Sequence, residues 1–184
     1  MPERLRVAEL VDRLSRIAHT LQFADGLNPA QWAALRYIAR ANRYSLTPGA
    51  LAEFLGTTKG TASQTLIALE SKKLIRRTRT AKDRRSVTVE LTEEGQATLA
   101  RDPVRHFVTA SATFSASDQR AIAEGMDMLL GSLQQNHGRT MFGYCDRCAH
   151  LAPVQDSGYA CGMTGDVLAN GELTQLCVNF KQLG

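Results

Sequence analysis

Residues 59 to 85 constrain the fold of this chain more tightly than any other stretch. They carry nine Lys/Arg against two Asp/Glu and so hold a net +7, whereas the whole chain of 184 residues is only +4, which leaves −3 for everything else. The segment opens on small polar residues, Thr57 to Thr65, and continues through Leu66, Ile67, Leu69 and Leu74. A helix of that pattern can offer its N-terminal half to base edges while its second half packs. Leu74–Arg77 and Ser86–Leu91 then alternate in the manner of two strands. Arg79, Lys82, Arg84 and Arg85 sit at or near the tip between them. Exposed cations there gain little from the fold, and their use is contact with phosphates or a minor groove. Asp83 beside Arg84 and Arg85 can fix the direction of a guanidinium. A helix sized for the major groove followed by a cationic β-ribbon is the layout of a winged helix-turn-helix, with double-stranded DNA as partner. Thr58, Lys59, Thr61, Ser63 and Gln64 are the candidate base-edge and phosphate contacts. The plain alternatives are a capped amphipathic surface helix and a solvated Asp83 ion pair.

The flanking sequence reads as helices. Val7, Leu10, Val11, Leu14, Ile17, Ala18 and Leu21 form one helical stripe, which suits an intramolecular core or a dimer seam. Asn28 is placed to cap a helix with Pro29 at its first position, burying Trp32, Leu35 and Ile38. Thr47-Pro48 starts a short helix with Leu51, Phe54 and Leu55 facing inward, and Gly56 stops it. Thr92 caps another with Glu93 and Glu94 at its positive end. Asp102-Pro103 interrupts the chain. Ser115 to Asp118 opens a last helix striped by Ile122, Met126, Leu129, Leu130 and Leu133, with Met126 and Met128 as core or interface filler. An apolar share of 43% supports a real core. No apolar run is long enough for a bilayer, and Met1 to Leu14 mixes charges through its apolar positions, unlike a signal peptide; the expected location is cytoplasmic.

Several of these elements agree in order with one family. Gln31-Trp32 with Leu35, Leu51 to Gly56, Thr58 to Thr65, Leu69-Glu70, Leu74 to Arg76, and Asp83-Arg84-Arg85 through Val89, Leu91-Thr92 and Gly95 together resemble the MarR family of bacterial transcriptional regulators. The resemblance spans about residues 5 to 136. It implies a homodimer with N- and C-terminal helices in its interface. It also implies a wing in which Asp83 orients Arg85, with Arg84 as the rival partner. Two departures stand out: Pro103 falls inside what is usually one long helix, and residues 139 to 184 have no counterpart in an ordinary member.

All four cysteines lie in that tail, spaced C-x2-C-x12-C-x15-C at Cys145, Cys148, Cys161 and Cys177. Gly-rich polar loops between them leave little for a core, so an inorganic centre is the expected organiser. Structural zinc favours two close C-x2-C pairs, and only one is present; ferredoxin spacing does not match either. One close pair followed by two single cysteines, with Phe142, Tyr144, Tyr159, Leu168 and Phe180 as an apolar shell, resembles high-potential-type 4Fe-4S modules and the small cluster-bearing subunits of some glycyl-radical enzymes. The reading favours an iron-sulfur cluster, with Zn²⁺ as the alternative and a thiol-disulfide pair at Cys145-x-x-Cys148 as the third. His150 is either a fourth ligand or an outer neighbour of the site.

The expected fold is therefore mainly α with a small β-hairpin wing: residues 1–138 a dimerisation and winged helix-turn-helix domain, residues 139–184 a short cysteine-rich module. The expected function is a homodimeric regulator, a repressor, on a pseudo-palindromic operator, with the cluster sensing redox or iron status. The alternative keeps the regulator but makes the site structural zinc and the signal a small aromatic effector. No Ser/His/Asp or paired-carboxylate arrangement stands out, and no βαβ surround accompanies the C-x2-C pair, so an enzyme is not expected.

Overall fold

The computed structural model describes residues 2–79, 87–154 and 158–183. Four helices lead into the wing: α1 (Glu3–Leu21), α2 (Pro29–Arg40), α3 (Pro48–Leu55) and α4 (Lys59–Ser71). Strands β1 (Ile75–Arg79) and β2 (Val87–Leu91) pair antiparallel from Ile75↔Leu91 to Arg79↔Val87. Helices α5 (Glu93–Leu99), α6 (Arg105–Ser111) and α7 (Ala116–Asn136) follow. The tail consists of short strands β3 (Gly143–Tyr144), β4 (Leu151–Val154), β5 (Gly158–Cys161), β6 (Val167–Leu168) and β7 (Leu176–Cys177). Of these, β3 pairs with β7, and β4, β5 and β6 form a three-stranded sheet in that order. Among the described residues, no helix is long and apolar enough to cross a membrane.

Local chemistry sets the helix starts. Asn28 accepts the Gln31 amide at 2.9 Å while the Gln31 side chain accepts the Asn28 amide at 3.1 Å, a reciprocal cap with Pro29 in the first turn. Thr47, Thr58, Thr92 and Ser115 each accept the amide three residues on, at 3.1 Å. Helix α3 ends on Gly56 at φ +61°, and a Cβ there would also meet the Arg139 guanidinium. At the α5–α6 break Asp102 is buried, accepting Arg36 Nη1 at 2.9 Å and the Val104 amide at 2.9 Å, so Pro103 ends one helix as the sequence predicts.

The main core is built from α2, α3, α4, β1 and β2, with Trp32, Leu35, Tyr37, Leu51, Leu66, Leu69, Ile75 and Val89 fully enclosed. It does not stop at residue 138. Leu176 is buried in the same core, with Phe142, Tyr144 and Val178 packed against it. The tail is thus an extension of the helix-turn-helix core rather than a satellite. Phe54 departs from the expected inward position. It is 38% exposed, on the rim, tilted against Tyr37 at 4.7 Å and edge-on to Phe142 at 5.3 Å between ring centres. The tail's own aromatics cover the rim that Phe54 would otherwise have had to fill.

Helices α1 and α7 bury none of their residues within the chain. Leu5, Leu10, Leu14 and Ile17 on α1 and Ile122, Met126, Leu130 and Leu133 on α7 are all exposed, as is Met128. Their stripes do not serve an intramolecular core.

Candidate nucleic-acid interface and thiol site

Two sets of side chains are candidates for function. The first lies at the start of α4. Thr58, Lys59, Thr61 and Gln64 are exposed and Ser63 is half-buried, while Ala62, Leu66 and Leu69 on the opposite face are buried. The Thr58 and Thr61 hydroxyls lie 2.9 Å apart, so each has a partner even as it faces outward. The wing rises beside this helix. Arg79 closes β1, and the expected tip residues Lys82, Asp83, Arg84 and Arg85 lie outside the described residues.

Not every cation of the basic segment is available. Arg77 makes a forked pair with Glu70, with Nε at 2.8 Å, and its amide also donates to Glu70. Arg76 pairs with Glu90 across the hairpin at 3.0 Å. These two fasten the wing to α4 and to itself. The Arg77 guanidinium holds the Glu70 carboxyl below its ordinary range.

The second set is the thiols. Cys145, Cys148, Cys161 and Cys177 all line one small cavity together with Asn42, Tyr44, His150, Leu151, Leu168 and Asn179. None of the four is in a disulfide. Cys145 and Cys177 are buried, Cys148 and Cys161 half-buried, and Leu168, Leu151, Leu173 and Phe180 pack around them. Of the expected apolar shell, Leu168 and Phe180 stand here; Phe142 and Tyr144 join the main core instead, and Tyr159 is 41% exposed.

Each turn around the cavity is fixed by its backbone. Cys145 to Arg147 form a 3-10 turn closed by the Cys148 amide on the Cys145 carbonyl at 3.1 Å. The Cys161 turn closes through the Gly165 amide at 2.7 Å, with Gly165 at φ +77°. Gly162 donates to the His150 carbonyl at 2.7 Å, which sets His150 in the wall of the cavity.

Two of the sulfurs receive N–H donors. Asn42 Nδ2 reaches Cys145 Sγ at 3.8 Å and the Lys181 amide reaches Cys148 Sγ at 3.5 Å. At Cys161, burial opposes ionisation, but the Thr164 and Met163 amides outweigh it and hold the thiol below its ordinary value. Burial and then the nearby Cys177 push Cys145 up to about 11. Among the described residues, no three His, Cys, Asp or Glu side chains are disposed to hold one metal ion.

The contribution that sequence reasoning missed is the loop of residues 41–46. Asn42 and Ser45, which no sequence motif singles out, are both completely enclosed. The Asn42 amide donates to the Leu176 carbonyl at 2.9 Å, and the Val178 amide donates to Ser45 Oγ at 2.8 Å. Only their position before Thr47-Pro48 hints at a tight connection.

The sequence of residues 25–86 matches the family model of the MarR family. The fold agrees over a longer span. A mutant of S. aureus MepR is 23% identical, with a TM-score of 0.57 over 73% of this chain and 100% of that one. S. pneumoniae FabT, solved in complex with DNA, is 20% identical with a TM-score of 0.59 over 72% of this chain and 98% of its own.

This chain has a winged-helix fold, and its residues 25–86 are similar to the MarR family.

The regulator BldR from Sulfolobus solfataricus gives the same result, at 23% identity and a TM-score of 0.57 over 71% of this chain and 96% of that one. No curated protein matches the sequence. In the MarR-type frame α3 and α4 are the helix-turn-helix and β1–β2 the wing. The face of α4 that carries Thr58, Lys59, Thr61 and Gln64 is exposed in that frame.

Proposed function

We propose that this chain is a DNA-binding transcriptional regulator that acts as a homodimer on a pseudo-palindromic duplex operator. The observation that carries the reading is the exposed polar start of α4, with Lys59, Thr61 and Gln64 free of the core and a wing fastened beside them by the Arg77–Glu70 fork. FabT, a protein of similar fold, is solved in complex with DNA. The unburied stripes of α1 and α7 support the dimer, since apolar faces of that length on a monomer call for a partner. Two copies related by a twofold axis would set their α4 helices about one turn of duplex, roughly 34–36 Å, apart. Selection from a random duplex pool tests this. Inverted half-sites about 10 bp apart are expected, and recovery of no preferred duplex would refute it.

The thiol site is proposed to hold a 4Fe-4S cluster bound by Cys145, Cys148, Cys161 and Cys177. Four unpaired cysteines on one apolar cavity, with N–H donors on two sulfurs, suit a thiolate-bound centre. One close Cys pair followed by two single cysteines favours a cluster over structural Zn²⁺, which usually takes two close pairs. Such a cluster would supply a charge and an integrity that respond to oxidant and to iron supply. His150 is an outer neighbour in this reading. Protein purified without oxygen is expected to be brown, with iron and sulfide in stoichiometric amounts; a colourless chain with one zinc refutes the cluster.

One observation favours a second reading of the signal. A cavity of about 590 Å³ lies between α3 and the end of α7, lined by Phe54, Leu133, Phe142, His137 and Arg139 among others. Its size and its mixture of apolar walls and a cation suit a small aromatic acid. Under that reading the thiol site is structural and the effector binds here.

A further inference from the structure

The loop of residues 41–46 touches the neighbourhood of three cysteines at once. Asn42 Nδ2 donates to Cys145 Sγ at 3.8 Å. The Tyr44 hydroxyl donates to Asp166 at 2.6 Å and accepts from Thr164 at 3.1 Å, and both partners belong to the turn that follows Cys161. Ser45 Oγ accepts the amide of Val178, the residue after Cys177, at 2.8 Å. The loop is also braced internally, because Ser45 Oγ donates to Asn42 Oδ1 at 2.7 Å and so turns the Asn42 amide nitrogen toward the sulfur.

On its other side the same loop meets the DNA-binding unit. The Leu46 carbonyl accepts the Val89 amide of β2 at 2.9 Å, outside the hairpin's own ladder. The Ser45 carbonyl accepts the Tyr37 hydroxyl of α2 at 2.7 Å, and the next residue but one, Thr47, caps α3. Asn42 and Ser45, at the centre of this relay, are enclosed and partnered, so a shift there is passed to their partners rather than absorbed by water.

We propose that Asn42, Tyr44 and Ser45 are positioning residues of the thiol-bound centre and that their loop transmits its state to α3 and the wing. The inference rests on the cysteine site holding a metal centre, as argued above. An N–H donor on a thiolate ligand stabilises the charge there and orients the ligand; losing such an outer partner typically weakens metal retention about 10- to 100-fold. Asn42→Asp is nearly the same shape but replaces that donor by an acceptor that repels the sulfur. Tyr44→Phe removes only a half-exposed hydroxyl and so tests the loop without disturbing the core.

The experiment compares wild type, Asn42→Asp and Tyr44→Phe, each purified without oxygen, in three respects. These are metal retained against a competing chelator, the visible absorption of the bound centre, and affinity for a selected duplex before and after stripping. In wild type, stripping is expected to change affinity. Both variants are expected to lose metal about 10- to 100-fold more readily, Asn42→Asp to shift the absorption band, and loaded and stripped forms of each to bind duplex alike. A role in folding alone would lower stability without moving the band or equalising the two affinities, and would overturn the proposal. So would a Tyr44→Phe protein that behaves as wild type, whether or not Asn42→Asp folds. Wild type that retains neither iron nor zinc overturns the metal reading and this inference together; wild type that retains metal while both variants match it overturns the inference alone.

Discussion

Replacing Gly95 by alanine should destabilise this protein, against the usual sign for a helix. In most helices that change gains about 0.5–1 kcal/mol because glycine loses more backbone freedom on folding. Here Gly95 lies buried in the first turn of α5, and a Cβ would stand 2.0 Å from the Leu74 carbonyl oxygen and 3.3 Å from Leu91 Cδ2. Ordinary contact needs at least about 1 Å more, and the obstacle is backbone rather than the end of a flexible side chain. The carbonyl cannot turn aside freely, since it accepts the Thr92 amide at 3.1 Å while Thr92 Oγ1 donates to Lys73 at 2.6 Å. Those bonds anchor the end of the wing to the end of α4. Overpacking of this kind costs about 1–3 kcal/mol, enough to outweigh the propensity gain. With about 2–4 °C per kcal/mol for a chain of this size, the variant should melt several degrees lower and also bind duplex more weakly, because the root of the wing has moved. Thermal unfolding followed by circular dichroism reads the first effect and fluorescence anisotropy the second. A Gly95→Ala protein at least as stable as wild type would refute the reasoning.

Further outcomes follow from the same geometry. Lys59→Ala and Gln64→Ala remove exposed groups of α4, so each should weaken duplex binding while leaving the melting temperature within about 1 °C; Gln64→Ala, if it loses a base-edge contact, should cost about 1–3 kcal/mol and relax preference at one base pair. Glu70 has its folded value depressed by Arg77, so its contribution is present above the ordinary carboxylate range and lost as pH falls through the depressed value. Urea titrations should therefore show wild type losing more stability than Glu70→Gln on acidification below about pH 4.5, by at most about 1 kcal/mol because the pair is partly exposed. Leu10→Asp with Leu130→Asp, both exposed within the chain, should yield a monomer by light scattering with its helix content retained; a persistent dimer would place the interface elsewhere.

Much of the helical framework was legible because its signals are local. Asn28, Thr47, Thr92 and Ser115 each cap the helix that their sequence context announces, and the alternation after Leu74 does become the hairpin. What escaped is non-local. Asn42 and Ser45 are small polar residues in a short connection, a composition that ordinarily means solvent, and only the return of Leu176 and Val178 from the far end of the chain encloses them. The same return puts Phe142 beside Phe54 and brings Leu176 into the main core, which joins the tail to residues far earlier in the chain. Cysteine spacing announced a shared site; it carried no information on which loop would seat it. Arg76 and Arg77 count toward the positive charge of the segment, and their acidic partners, Glu90 and Glu70, are neighbours only once the hairpin is folded.

The central claim is that the face of α4 and the wing grips the backbone of duplex DNA. Affinity for a selected operator, measured from 50 to 200 mM salt, tests it most directly. If the dimer neutralises roughly 6–10 phosphates, affinity should fall about 10³- to 10⁵-fold over that range, with a log–log slope of about −5 to −9. A response that is flat across the range would contradict it.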